Sequence, residues 1–168
     1  LRGLVGSEMC IRDSFYPDNK KLWEIAEQLE ITIFGTSAKY IDSCKGSGLK
    51  PKGIFNLSKL KTILSTGSPL SNENFRYVYE NIKSNVLLGS ISGGTDIISC
   101  FALANPILPV EEGELQSIGL GMDVHAFDEN GQQFLKQKGE LVCTSIFPSM
   151  PIYFWNDPDH QKYRNAYF

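Results

Sequence analysis

Apolar and polar positions change rhythm several times along the chain, and each change marks an element. Leu22, Ile25, Ala26 and Leu29 recur at i, i+3, i+4 and i+7, which predicts an amphipathic helix begun near Asp18. The β-rich run "ITIFG" (31–35) predicts a strand, and "AKYIDSCK" a helix closed by Gly46 or Gly48. A second buried strand is expected at "LKTILSTG" (60–67). "SNENFRYVYENIK" then reads as a helix capped by Ser71, with Phe75, Val78, Tyr79 and Ile82 on its inner face. "NVLLGSI" (85–91) is the third strand. This βαβ alternation predicts a parallel sheet covered by helices, and ligands of such sheets bind beyond the carboxyl ends of the strands. The small-residue turns "STGSP" (65–69) and "SISGGTD" (90–96) fall at those ends, placed to share one ligand.

After residue 112 the texture changes. Val124 and Ala126 alternate with polar neighbours, and Asn130-Gly131 is a hairpin signal, so a small antiparallel, barrel-like β subdomain is expected. The proline-bearing "NPILPVEEG" (105–113) reads as the linker. The chain therefore divides into an α/β part over residues 14–112 and a β-rich part over residues 113–168. Residues 1–13, "LRGLVGSEMCIRD", carry neither periodicity and resemble junction sequence from environmental shotgun reads, so they are set aside as foreign. "HQKYRNAYF" ends without a cap or tail, and an internal fragment of a longer protein is expected.

Composition narrows the classes. At 168 residues, with 42% hydrophobic and 21% charged positions, the chain is an ordinary globular sequence of about one domain. No apolar run nears the roughly 20 residues a membrane span needs. A net charge of −3 and scattered lysines offer no face to a phosphate backbone, so nucleic acid is excluded as a partner. Cys10, Cys44, Cys100 and Cys143 are widely spaced and lie far from ligand-spaced histidines, which predicts reduced thiols in a cytoplasmic protein. His125 is assigned a structural or surface role.

Candidate chemistry lies in the two turns. Gly67, Ser68 and Pro69 let backbone approach a flat ligand, although an isolated turn of this kind usually only reverses the chain. Ser92, Gly93 and Gly94 make room for phosphate, Thr95 supplies a hydroxyl and Asp96 a carboxylate able to hold Mg²⁺; the same residues also suit an ordinary turn. No G-x-x-x-x-G-K-[ST], strand-borne G-x-G-x-x-G or G-x-S-x-G is present, which removes Walker, dinucleotide and esterase readings. Asp157, Asp159 and Lys162 read as a solvated helix start capped by Asn156 or Asp157. Tyr153, Phe154 and Trp155 read as packing groups, and Cys100 as core.

Taken in order, "FGTSAKYIDSC", "LKTILSTGSPLSNENFRYVYENI", "LLGSISGGTDIISCF", "NPILPV", "GELQSIGLGMDVHAFDENG", "KGELVCT" and "FPSMPIYFWNDPDHQKYRNAYF" resemble the acetoacetyl-CoA synthetase family of adenylate-forming acyl-CoA synthetases. The resemblance runs from about residue 14 to the last residue. It implies part of the large N-terminal domain of such an enzyme, in which ATP, Mg²⁺ and coenzyme A convert acetoacetate to acetoacetyl-CoA through an acyl-adenylate. It further implies that Gly67, Ser68 and Pro69 pack on adenine, that Thr95 contacts phosphate and that Asp96 holds magnesium. Acetyl-CoA synthetases carry tryptophans where this chain has Ser92 and Gly93, which implies a roomier acyl pocket also lined by Thr66. The family's phosphate loop, ribose-binding aspartate and catalytic lysine have no counterpart in this chain, so the 168 residues alone are expected to be inactive. The alternatives are another short- or medium-chain acyl-CoA synthetase, or a nucleotide-binding module without turnover.

Overall fold

In the computed structural model, residues 15–168 are described; the expectation of foreign sequence at 1–13 lies outside them. They divide into two compact units. One runs to Gly93 and resumes over Cys100–Gly119; the other comprises Gly94–Ser99 and Leu120–Phe168.

The first unit is built on the βαβ alternation. Helix α1 (Lys21–Gln28) starts three residues later than the pattern predicts, because the Asp18 carboxylate accepts the Lys20 amide at 2.8 Å and holds the preceding turn. Its inward face is wider than predicted and ends earlier: Trp23 and Ala26 are buried, Leu22 packs against the core, and Leu29, just past the helix, is 73% exposed. The reason is size. The Trp23 indole stacks on Phe34 with centroids 4.7 Å apart, and filling that space with the largest side chain decides which face points in. Strand β1 (Ile33–Ser37) leads directly into α2 (Ala38–Gly46), whose first turn is capped by the Ser37 hydroxyl accepting from the Tyr40 amide at 3.1 Å.

Strand β2 (Thr62–Thr66) lies between β1 and β3 (Leu87–Ser90) in a parallel sheet. Phe34, Ile63 and Leu88 occupy one row of this register, all buried. Against that face gather Tyr40, Ile41, Phe75, Val78 and Ile82, and each large apolar side chain so buried contributes about 1.5–3 kcal/mol. The connecting helix α3 (Asn72–Tyr77) begins at the predicted cap, Ser71 accepting from the Asn74 amide at 3.3 Å. It then widens into a π-turn over Val78–Ile82, so the inner face read from the sequence is kept across a change of helical pitch. Beyond that turn, the Lys83 ammonium donates to the carbonyls of Leu57, Ser58 and Leu60 at 2.6, 2.9 and 2.6 Å and so ties down the loop entering β2.

After β3 the chain forms β4 (Ser92–Gly94), β5 (Ser99–Leu103) and β6 (Ser117–Ile118), in sheet order β4-β5-β6. The segment between β5 and β6 is held by one side chain. Gln116 donates to the carbonyls of Asn105, Leu108 and Pro109 and accepts from the Asn105 amide at 3.0 Å. Arg76 of α3 pairs with Glu112 at 3.2 Å.

The second unit carries an antiparallel sheet of order β8-β7-β9, from β7 (Val124–Phe127), β8 (Gln133–Phe134) and β9 (Glu140–Cys143). This sheet is open; no closed barrel forms among the described residues. The hairpin expected at Asn130-Gly131 is present between β7 and β8, but its loop spans residues 128–132. The Asp128 carboxylate accepts the amides of Asn130 and Gln132, and only Gly131 takes a positive φ, 73°. Asp123 ties the start of β7 to the exit of β9 by accepting from the Thr144 and Ser145 hydroxyls at 2.5 and 3.0 Å. His125 has the structural role expected of it, lying within hydrogen-bond distance of Asp123 and Gln133, 2.7 Å from each.

Helix α4 (Gln161–Tyr167) begins beyond the predicted caps, yet Asp157 still serves it: its buried carboxylate accepts from the amides of Lys162 and Tyr163 at 3.0 and 2.8 Å. Burial pushes this carboxyl up, but the two amides outweigh it and hold it below the usual range. The packing role expected of Tyr153, Phe154 and Trp155 is clearest for Phe154, which meets the rings of Tyr163 and Tyr167 at 5.5 and 5.6 Å. Tyr153, 56% exposed, meets the His160 ring edge-on at 6.5 Å, and Trp155 stands 86% exposed in the turn that follows.

Candidate functional site

The carboxyl edge of the parallel sheet is set by register. Thr36, Ser65 and Ser90 stand side by side across β1, β2 and β3, and the Ser65 carbonyl accepts the Ile91 amide at 2.8 Å, carrying the alignment one residue past β3. The exits of β2 and β3 are thereby neighbours. Thr66, Gly67, Ser68 and Pro69 leave β2 and are all exposed. Gly67 adopts φ 84°, a left-handed conformation that a side chain disfavours, although a Cβ there would meet nothing within 4 Å. Backbone conformation rather than space demands the glycine. The pattern reading passed over Ser65. Its hydroxyl is fully buried without a hydrogen-bond partner among the described residues, and one serine in an apolar run carries no sign of that.

Downstream of β3 the small residues prove not to be a turn. Ser90 closes β3, and Ser92–Gly94 form strand β4 beside β5; the reversal comes only afterwards, at residues 95–98. Ser92, Gly93 and Gly94 form the edge strand of that sheet, hydrogen-bonded to β5 on one side, so their small side chains serve an extended strand. Within the turn, the Ile98 amide donates to the Thr95 carbonyl at 3.3 Å, and Ile98 itself takes φ 49° while 87% exposed. A β-branched residue in the left-handed region is strained, and such strain persists where the surroundings impose it.

Thr95 and Asp96 are exposed and lie in the second unit, just past Gly93 along the chain. In that unit Asp96 has a partner 71 residues away: the Tyr167 phenol donates to its Oδ2. Burial first, and then the Asp96 carboxylate, push the Tyr167 phenol up to about 12, so it remains a protonated donor at neutral pH. Sequence reading missed this residue, because nothing local to "YRNAYF" points to Asp96. Oδ1 of the same carboxylate folds back over Gly94, where an added Cβ would stand 2.4 Å from it.

What the set can hold follows from its donors. A carboxylate beside a hydroxyl is a hard oxygen pair of the kind that binds Mg²⁺ together with substrate phosphates, since that ion keeps most of its shell from water and phosphate. Among the described residues no group of three or more His, Cys, Asp and Glu forms an all-protein metal cage. A single carboxylate suits a metal that arrives with its nucleotide. The three described cysteines, Cys44, Cys100 and Cys143, are free thiols; Cys100 is half-buried in β5 rather than in the core, and burial pushes Cys44 up.

No family model matches the chain. It is 52% identical over 166 residues to the acetoacetyl-coenzyme A synthetase of Rhizobium meliloti (strain 1021), an alignment covering 98% of this chain and 26% of that protein. It is 51% identical over 166 residues to the acetoacetyl-CoA synthetase of Mus musculus, covering 98% and 25%. Among solved structures, the acetoacetyl-CoA synthetase from Streptomyces lividans superposes with a TM-score of 0.84 at 43% identity, over 92% of this chain and 24% of that one. The anthranilate CoA ligase AuaEII, solved in complex with anthranoyl-AMP, superposes with a TM-score of 0.70 at 16% identity, covering 85% and 27%, which speaks to fold alone. The chain thus spans about a quarter of the length of the curated relatives it matches. Over that span it is an acetoacetyl-CoA synthetase homologue with the fold of adenylate-forming enzymes, as the motifs from residue 14 onward imply.

Proposed function

We propose that the protein to which this chain contributes activates acetoacetate with ATP and transfers it to coenzyme A. A carboxylate oxygen of acetoacetate attacks the α-phosphorus of ATP and pyrophosphate leaves. The CoA thiol then attacks the acyl carbon of the adenylate and AMP leaves, giving acetoacetyl-CoA. The observation that carries this reading is identity near 50% to acetoacetyl-CoA synthetases over almost the whole chain, including the carboxyl-edge segments.

In this reading Gly67, Ser68 and Pro69 lie against the adenine, where the left-handed Gly67 lets backbone approach a flat ring. Thr66, Ser92 and Gly93 border the acyl group, and the small side chains of the last two leave it room. Thr95 donates to phosphate and Asp96 holds magnesium, which supplies charge neutralisation on the nucleotide phosphates. Orientation of the two reactants is the larger part of the work, because activating a carboxylate needs alignment more than proton transfer. Residues 14–112 form part of the AMP-binding subdomain and residues 113–168 part of a β-rich one, whose open β8 and β9 edges further strands close into a barrel-like shape. No helix among the described residues is long and apolar enough to cross a membrane, and a cytoplasmic location fits the free thiols.

The test is pyrophosphate release by the full-length protein with acetoacetate, acetate, propionate and butyrate. Acetoacetate is expected to give the highest kcat/KM. Butyrate, which has the chain length of acetoacetate without its 3-oxo group, is the closest competitor, and propionate, one methylene shorter, should differ from butyrate by only about 1–3 kcal/mol. A preference for acetate overturns the assignment, and Mg·ATP binding without release for any acid indicates a non-catalytic module.

A further inference from the structure

The second unit treats Asp96 in a way that a metal-binding carboxylate alone does not require. One of its oxygens accepts from the Tyr167 phenol, and the other is folded over Gly94, at a distance that only the missing Cβ permits. The Tyr167 contact thus limits the rotation of a short, exposed side chain, in space that the bare Gly94 leaves open. Tyr167 is itself buttressed. Its ring meets Phe154 at 5.6 Å and Tyr163 at 5.2 Å, and Tyr163 is anchored by its hydroxyl donating to the Pro151 carbonyl at 2.5 Å and by its amide donating to Asp157 at 2.8 Å. The phenol therefore reaches Asp96 from a braced helix rather than from a mobile surface side chain.

We infer that Tyr167 is a positioning residue, which aims the Asp96 carboxylate at the magnesium of the incoming nucleotide. The inference rests on the reading of Asp96 as the magnesium carboxylate. The physical argument is pre-organisation: an unrestrained aspartate samples several rotamers, and those turned away from the phosphates are lost to metal binding. A charge-assisted hydrogen bond from a neutral donor selects one orientation while leaving the carboxylate its negative charge.

The test uses the full-length protein and the variants Tyr167→Phe, Asp96→Asn and the double substitution. Calorimetric titration of ATP at a series of Mg²⁺ concentrations, without acetoacetate, reads metal-dependent binding apart from turnover. Tyr167→Phe is expected to raise the Mg²⁺ concentration for half-maximal ATP binding about tenfold, the scale of one hydrogen bond to a charged group. The KM for acetoacetate should stay within about twofold and the melting temperature within about 2 °C, since phenylalanine keeps the ring contacts. Asp96→Asn should shift the Mg²⁺ dependence at least as far, and the double variant no further than Asp96→Asn alone. If Asp96→Asn shifts the dependence but Tyr167→Phe leaves it unaltered, the positioning role is wrong and the reading of Asp96 stands. If Asp96→Asn leaves it unaltered, the reading of Asp96 fails and the inference falls with it. A lower melting temperature in Tyr167→Phe with unaltered Mg²⁺ dependence marks a packing role and likewise overturns the inference.

Discussion

Replacing Gly89 with alanine probes the packing of the strand that delivers the candidate site. A Cβ at this position in β3 would stand 2.3 Å from the methyl carbon of Ala104, 3.2 Å from Leu64 Cδ2 and 3.3 Å from the backbone α-carbon of Ala104. Carbon atoms rest about 3.5–4.0 Å apart, so the gap to the Ala104 methyl must open by more than about 1 Å, and backbone has to move with it. Overpacking of this kind costs about 1–3 kcal/mol, and the involvement of backbone puts Gly89→Ala toward the upper end. Alanine recovers about 0.5–1 kcal/mol of the conformational freedom that glycine loses in a strand. The net expectation is a loss of about 2 kcal/mol, or roughly thirtyfold in the folding equilibrium at 1.4 kcal/mol per decade. Urea unfolding followed by circular dichroism measures it: with a slope of about 2 kcal/mol/M, the midpoint should fall by about 1 M at constant slope. Adding Ala104→Gly removes the clashing methyl and should restore part of the loss, the remainder reflecting the backbone of residue 104, which still stands inside van der Waals distance. An unchanged or higher midpoint for Gly89→Ala would refute the close approach of β3 and Ala104.

Two further substitutions separate stability from chemistry. Gly94→Ala places its Cβ against the end of the flexible Asp96 side chain instead of backbone, so unfolding should change by no more than about 0.5 kcal/mol. The carboxylate must swing aside, however, and pyrophosphate release by the full-length protein should fall about 10- to 100-fold, as displacements near 1 Å do; an unaltered rate removes Asp96 from the site. Asp157→Ala should destabilise the second unit, most at neutral pH. The folded-state carboxyl lies below its ordinary value, so its stabilisation is complete above about pH 4 and fades as the pH falls through the lowered value. The gap between wild type and Asp157→Ala in urea midpoint should accordingly be wider at pH 7 than at pH 3, and a gap that widens on acidification contradicts the capping role.

The elements most legible in the sequence are those whose signals are local. Ser71 announces its helix because a cap is read from neighbours three residues apart, and Phe75, Val78 and Ile82 keep the expected inner face even where the helix widens. Strand edges are less legible: the first strand lies at 33–37 rather than 31–35, since its ends are decided by the partner register with Thr62–Thr66. The bend after β2 is legible through Gly67, whose positive φ only glycine adopts cheaply, but it starts at 67 rather than 65, because Ser65 and Thr66 are still paired in the sheet. The extended state of Ser92–Gly94 is not, because small residues suit a turn and a strand equally and only the neighbouring β5 decides between them.

The sequence by itself determined the βαβ order, the Ser71 cap, the homology carried by ordered motifs and the residue types that follow the carboxyl ends of the strands. All of these rest on spacings of a few residues or on matching segments read in line. Tertiary structure alone decided that Trp23 rather than Leu29 faces the core, that Ala104 forbids a side chain at Gly89, and that Tyr167 reaches Asp96 across 71 residues. Interactions of that kind depend on volume and direction in three dimensions, and a linear pattern carries no record of either.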